Sequence, residues 1–359
     1  MKSRLERLIG IFVPTRNAQR TLQTLRGMGL QYDGFRFRRV SGLVGIPLAG
    51  PLSAQNESIL RAELGDIRLE EALFETVPAR PRNLRDAVQT IIPSKLLSAL
   101  PRSLDVVGDI AITEFSPDLE PYSAEVGKGI LQINPHIRLV LKKTGEVAGM
   151  HRTRELQILA GSGGMETVHR EFGCSYRVDV GTVYFNPRLG HERRRVANQV
   201  LPHDVVVDMF AGVGPYSILI AKLQPHAKVY ALDINPSAVK YLKDNILANG
   251  VTGRVIPQLG DTRHLAEESI RLTADRVIMN LPSSAENFLD AASHILKIDG
   301  GYIHFYSFAQ RGVDLNAVKE QFRTSLLGQK RRVKAFSYCN VIREISPTRV
   351  QIAVEALVN

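Results

Sequence analysis

Residues 205–215 read Val-Val-Val-Asp-Met-Phe-Ala-Gly-Val-Gly-Pro. An unbroken apolar run that ends in an acid and enters a glycine-rich turn predicts a buried strand handing over to a helix. Gly212 and Gly214 allow positive φ and close approach of backbone to a ligand. A strand this apolar is buried on both faces, which demands helices on either side of a parallel sheet. The chain downstream keeps the pattern. Strands are expected at residues 205–208, 228–232, 254–258, 276–279 and 302–306, and helices at 216–222, 236–249, 285–296 and 315–326. Pro236 suits a helix first turn, with Asn235 as its cap. Two late strands, 331–337 and 350–354, would extend the sheet. The alternation predicts a doubly wound, mostly parallel sheet over residues 180–359.

Two smaller α+β modules are expected before it. Residues 1–78 contain a short strand at 11–14, a helix at 16–29 with Leu22, Leu25 and Met28 at helical spacing, and a strand at 35–44 that interleaves Arg36, Arg38 and Arg39. Pro78 and Pro81 mark a linker. Residues 82–178 mix strands (106–113, 139–142) with a helix at 123–134, and Lys128, Lys142, Lys143, Arg152 and Arg154 make this zone basic. A chain of 359 residues has room for three such cores.

The formal net charge is +10. A basic balance favours a polyanionic partner, because each Lys or Arg that neutralises a phosphate releases a counterion. No apolar run is long enough for a membrane helix. The charged start, Met1 to Arg7, is followed by no long apolar segment, which argues against a secretory signal. The two cysteines, Cys174 and Cys339, make no disulfide framework, and no Cys/His cluster has zinc spacing. The expectation is a monomeric, cytoplasmic protein without metal.

Three acids fall at successive strand ends: Asp208, Asp233 and Asp261. Ligands of open α/β sheets bind outside the carboxyl ends of the strands. Asp233 can accept both hydroxyls of a ribose, and Asp261 can meet an adenine amino group. The first turn reads Asp-x-Phe-x-Gly-x-Gly rather than the dinucleotide spacing. Phe210, Ile234 and Thr262 flank these turns. The fourth strand ends in Asn280-Leu281-Pro282-Ser283, with serine where exocyclic-amine methyltransferases carry an aromatic residue. A ring nitrogen that must lose a proton would then need a separate base.

Residues 183–195 supply a candidate. Tyr184, Phe185, Arg188, Glu192 and Arg193 crowd a short segment ahead of the first strand. Two readings stand side by side. Glu192 is paired to nearby arginines at a helix start, or it is a general base facing a substrate. His191 reads as a solvent-facing residue.

Taken together, Tyr184-Phe185-Asn186-Pro187-Arg188-Leu189, then Glu192-Arg193, Asp208 to Tyr216 and Asn280-Leu281-Pro282 resemble the archaeal/eukaryotic-type tRNA (guanine-37-N1)-methyltransferases of the class I S-adenosylmethionine-dependent superfamily. The likeness covers residues 150–300 and includes Arg152 upstream. It departs from the common pattern at Gly190-His191. The resemblance implies a Rossmann-like catalytic domain, S-adenosyl-L-methionine as cofactor, and tRNA as partner through its anticodon stem-loop and outer corner. It assigns Glu192 as general base, Arg152 to guanine O6, and Asn280 as an active-site positioner. It puts Arg193, Phe210, Gly212, Gly214, Asp233, Ile234, Asp261, Thr262, Asn280 and Pro282 along the cofactor, and Tyr184, Arg188 and Arg152 along the substrate. The chemistry suits these types: a carboxylate takes the N1 proton and a guanidinium stabilises charge on O6. A related wyosine-pathway transferase, moving the aminocarboxypropyl arm or methylating a wyosine precursor, and a non-catalytic RNA-binding protein are the alternatives.

Overall fold

The computed structural model describes residues 4–32, 34–77, 81–145, 155–268 and 270–359. They form two compact units, Met1–Arg82 and Asn83–Asn359.

The first unit is a four-stranded antiparallel sheet with two helices. Its elements are β1 (Leu5–Pro14), α1 (Ala18–Gly27), β2 (Arg38–Val40), β3 (Leu43–Pro47), α2 (Ala54–Leu64) and β4 (Arg68–Glu75). The sheet order is β2-β3-β1-β4. Ile11, Val13, Leu25, Ile46 and Leu60 fill its core. The single strand expected at 35–44 is instead the hairpin of β2 and β3. Ser41 and Gly42 both take positive φ, the geometry a tight two-residue hairpin turn needs. Arg38, Arg39 and Val40 are all exposed.

The second unit opens with α3 (Leu84–Val88), β5 (Asp105–Val107), β6 (Ile110–Thr113), α4 (Ser123–Ile133), β7 (Leu139–Lys143) and β8 (Leu156–Gly161). The four strands lie in that order in one sheet. Their core joins Val88, Val126, Ile130 and Val140. The expected strand at 106–113 is broken into two by Gly108, whose φ is +56°. The pair β9 (Glu166–Glu171) and β10 (Cys174–Asp179) follows, then α5 (Gly190–Ala197).

The remainder alternates strand and helix: β11 (Val205–Asp208), α6 (Pro215–Leu223), β12 (Lys228–Asp233), α7 (Pro236–Ala248), β13 (Val255–Leu259), α8 (Thr262–Glu268), β14 (Arg276–Met279), α9 (Leu289–Ile295), β15 (Gly301–Gln310), α10 (Leu315–Gly328), β16 (Val333–Glu344) and β17 (Arg349–Val358). They build a seven-stranded sheet of order β13-β12-β11-β14-β15-β17-β16. The first five strands are mutually parallel, and β17 runs antiparallel to both of its neighbours. One face packs against α5, α6 and α7, through Val196, Ile218 and Leu242 among others. The other packs against α8, α9 and α10, through Ala266, Ala292 and Phe322. The mostly parallel, doubly wound sheet is thus present. Asn235 caps α7 as expected, its side chain accepting from the Ser237 N–H at 2.9 Å. Strand order reverses beside β11, with β12 on one side and β14 on the other. That switch point leaves a crevice at the strand ends.

Candidate functional site

A cavity of about 1120 Å³ occupies that crevice. Strand-end loops supply most of its wall. After β11 come Phe210, Ala211 and Gly212; after β12, Asp233, Ile234 and Asn235; after β13, Asp261 and Thr262; after β14, Asn280, Leu281 and Pro282. Ten of the positions singled out from sequence line it: Tyr184, Arg193, Phe210, Gly212, Asp233, Ile234, Asp261, Thr262, Asn280 and Pro282.

The first loop is tied to the second by one carboxylate. Asp233 accepts the Gly212 N–H at 2.7 Å and the Asn235 N–H at 2.8 Å. Gly212 sits at φ +57°, so a side chain there would be strained. Gly214 shapes the turn rather than the wall. It holds φ +91° at the start of α6, and a Cβ would lie 2.5 Å from Leu242. Thr262 is buried and donates to the Met209 carbonyl at 2.8 Å, which pins α8 to the end of β11.

Asp261 is partly buried, which raises its proton affinity. The Arg263 backbone N–H and guanidinium outweigh that and hold the carboxyl below its usual range. Phe210 meets Phe288 edge-on at 5.0 Å between ring centroids. Asp208 is fully buried and away from the wall. Burial pushes its carboxyl up to about 7, against the hydroxyl of Ser217, which donates to it at 2.7 Å. Asn280 directly follows β14, with its Oδ1 buried and without a hydrogen-bond partner. A buried acceptor left unmatched is unusual in a folded chain and marks a place where a ligand can supply the donor.

Arg188, Arg193 and Glu192 are each engaged in ion pairs. Arg152 lies outside the described residues. Arg188 donates to Asp105 at 2.5 Å and to Ser103 at 3.3 Å, engaged with the loop and strand of β5 instead of the cavity. Arg193 reaches the wall but is 1% exposed, and its guanidinium grips Glu171 through two 2.7 Å contacts and donates to the Asn186 carbonyl. Glu192 does not line the cavity. Its carboxylate accepts two nitrogens of Arg195, each at 2.9 Å, and the Tyr306 hydroxyl at 2.7 Å. The arginine pairing weighed for Glu192 is therefore present in the structure. Arg195 also donates to Glu355, which faces His304 at 3.0 Å. His191 is exposed, as expected.

Sequence reasoning missed one wall altogether. Phe308, Arg343, Arg349 and Gln351 come from the last three strands and line the cavity. The Phe308 N–H donates to the Pro282 carbonyl at 3.2 Å, which joins β15 to the Asn-Leu-Pro turn. Glu114, just after β6, and Lys143, at the end of β7, add charged groups.

Comparison with known proteins agrees with this architecture. The profile of the TRM5/TYW2 methyltransferase domain matches residues 167–334, and that of the TYW2 N-terminal domain matches residues 84–164. The tRNA (guanine(37)-N(1))-methyltransferase Trm5b of Pyrococcus abyssi is 37% identical over 348 residues, covering 97% of this chain and 98% of the relative. A solved complex of aTrm5 with tRNALeu superposes with a TM-score of 0.77 at 31% identity, covering 98% of this chain and 100% of that one. Methanocaldococcus jannaschii TYW2 in complex with AdoMet gives a TM-score of 0.55 at 27% identity, covering 72% of this chain and 99% of that one. This chain belongs to the TRM5/TYW2 methyltransferase family.

Proposed function

We propose that the chain is a tRNA (guanine-37-N1)-methyltransferase that uses S-adenosyl-L-methionine. One observation carries the reading beyond family membership: Asp233, Asp261 and the unmatched Asn280 Oδ1 converge on one cavity at the sheet's switch point. These groups fit a nucleoside with a charged arm. Asp233 and Asp261 offer carboxylate oxygens to a ribose and an adenine amino group, and the turn at Gly212 offers a close backbone approach. When bound, the cofactor supplies an electrophilic methyl group on a sulfonium. No Asn-Pro-Pro-aromatic clamp for an exocyclic amine is present in the sequence, which supports a ring nitrogen as acceptor.

Guanine N1 carries a proton at neutral pH, so a base must remove it. Glu192 is assigned that role, and Arg152, Tyr184 and Arg188 the substrate contacts, by the family pattern, with Pro282 on the cofactor side. The geometry adds a condition. An ionised carboxylate has about four lone-pair sites, and three are occupied by Arg195 and Tyr306. Glu192 must turn its carboxylate from that network toward the cavity to meet the base. Asn280 orients the N1 edge of the base, and the flipped base enters the same crevice.

The reading divides the chain into three working parts, 1–78, 82–178 and 180–359. The separate core of the first unit and the separate sheet β5-β6-β7-β8 support that division. The basic N-terminal parts contact the outer corner and anticodon stem-loop of tRNA, and the protein acts as a cytoplasmic monomer. Among the described residues no helix is long and apolar enough to cross a membrane. The test is methyl transfer from labelled cofactor to tRNA transcripts with guanine or adenine at position 37, with the product nucleoside identified by mass spectrometry. N1-methylguanosine from the guanine transcript alone supports the reading. Label elsewhere overturns the site, and cofactor binding with no methyl transfer overturns the reaction.

A further inference from the structure

The wall built by β15, β16 and β17 contains a second unmatched amide. Gln351 is 2% exposed, and its Nε2 has no hydrogen-bond partner. It lines the same cavity as Asn280. Register sets Gln351 opposite Phe308 on one side and Arg343 on the other. The two amides therefore make opposite demands on whatever fills the cavity: Asn280 presents an acceptor and Gln351 a donor. Only β15 separates their strands. Two strand spacings are roughly 10 Å. Met279 pairs with Phe305 and Gln351 with Phe308, so Gln351 also lies two residues further along the sheet than Asn280, and the diagonal of roughly 12 Å between their backbones is on the scale of a purine bonded on two edges. Arg349 stacks its guanidinium over the Phe308 ring at 5.0 Å. That makes this wall basic as well as aromatic, which suits a nucleotide rather than an uncharged ring.

We propose that Gln351 contacts the acceptor nucleotide directly, donating its Nε2–H to N7 of the target guanine. The inference rests on the acceptor reading above. Guanine carries donors at N1 and N2 and acceptors at O6 and N7. Methylation at N1 turns the donor edge toward Asn280 and the cofactor residues. The acceptor edge then turns toward β17. O6 adjoins N1 and stays at the reacting end, which leaves N7 as the acceptor nearest Gln351. Pyrimidines have no equivalent atom, so this contact selects a purine.

The experiment is single-turnover methyl transfer by the full-length protein on tRNA transcripts carrying guanine or 7-deazaguanine at position 37. The deaza base keeps N1, O6 and N2 and removes only the N7 acceptor. The wild type is expected to lose roughly 10- to 100-fold in kcat/KM on the deaza transcript, the cost of leaving a buried donor unmade. Gln351→Met is expected to lose a similar factor on guanine and to treat the two transcripts alike. A wild type indifferent to 7-deazaguanine overturns the contact, and this arm does not depend on any variant folding. A Gln351→Met protein that keeps the wild-type sensitivity overturns it too. If the wild type forms no N1-methylguanosine on the guanine transcript, the acceptor reading itself falls, and this proposal with it.

Discussion

The hydroxyl of Tyr306 donates to the carboxylate of Glu192 across 2.7 Å, linking the middle of β15 to the first turn of α5. Burial first, and then the neighbouring Tyr216 and Glu192, keep the Tyr306 phenol protonated well above its usual range. It is therefore a permanent donor. Arg195 closes the other side of Glu192 and bridges to Glu355. Glu355 is buried, which raises its proton affinity, yet His304, Ser337 and Arg195 outweigh that and hold it strongly ionised. Two roles for Glu192 follow, proton acceptor and link in a buried network, and they separate experimentally.

Glu192→Gln keeps the shape and removes the charge. If Glu192 takes the N1 proton, the single-turnover rate should fall by about 10²- to 10⁴-fold, while the cofactor dissociation constant stays within about twofold. Tyr306→Phe removes the hydroxyl's two hydrogen bonds, the one it donates to Glu192 and the one it accepts from Tyr216, each worth about 1 kcal/mol, and leaves the Glu192 charge in place. Its rate should stay within about tenfold of wild type. Rapid-quench kinetics with pre-bound tRNA separates the cases. An E192Q protein that turns over normally and only melts earlier would make Glu192 purely structural.

Asp233 connects three things: the Gly212 turn, the Asn235 cap and the cavity. Asp233→Ala should weaken S-adenosylmethionine binding by roughly 10- to 100-fold, since it removes charged acceptors and loosens the glycine turn together. Asp233→Asn should fall between, because an amide oxygen still accepts the backbone N–H groups. Isothermal titration with the cofactor measures both, and an unaltered affinity for the alanine variant would remove Asp233 from the site.

The parallel part of this fold was legible because its strands are short, apolar and separated by helices. Each strand end then marks the cavity wall by position alone, as at Asp233, Asp261 and Asn280. The last wall was not legible. Phe308, Arg343 and Gln351 meet only through antiparallel pairing of β15, β16 and β17. No local spacing records which residue faces which across a sheet. Gln351 sits between Val350 and Ile352, both buried, and reads from sequence as an odd polar residue in a strand. The split of residues 35–44 was missed for a different reason. Ser41-Gly42 is a weaker turn signal than Asn-Gly, and the flanking arginines continued the strand pattern. Glu192 and Arg195 stand three apart on one helix, so spacing favoured their pairing, and the family pattern favoured catalysis.

Asp208 gives a prediction in pH. Its carboxyl is pushed up from 3.8 to about 7, by burial above all. Between those values the folded protein holds a proton that the unfolded chain has lost. Stability from this group is therefore present at low pH and drains away as pH rises toward 7. Asp208→Asn cannot lose that proton and can still accept from Ser217. The Tm of the variant minus that of the wild type should rise between pH 5 and pH 8, by roughly 2–5 °C. Other titrations cancel in the difference. Parallel Tm curves across that range would mean that Asp208 is already ionised at pH 5.

The first unit carries its own core and an exposed edge strand, β2, with Arg38 and Arg39 both in solvent. An arginine that neutralises a phosphate contributes about one to the slope of log affinity against log salt. If this strand contacts tRNA, Arg38→Ala and Arg39→Ala should each weaken binding at low salt and lower that slope by roughly one. Removing residues 1–82 should raise the KM for tRNA by at least about tenfold, while kcat at saturating tRNA stays within about threefold, because every described residue that lines the cavity belongs to the second unit. Filter binding across a salt series tests the arginines, and steady-state kinetics tests the truncation. Equal falls in kcat and in binding would make the first unit part of the reacting geometry rather than a recognition module.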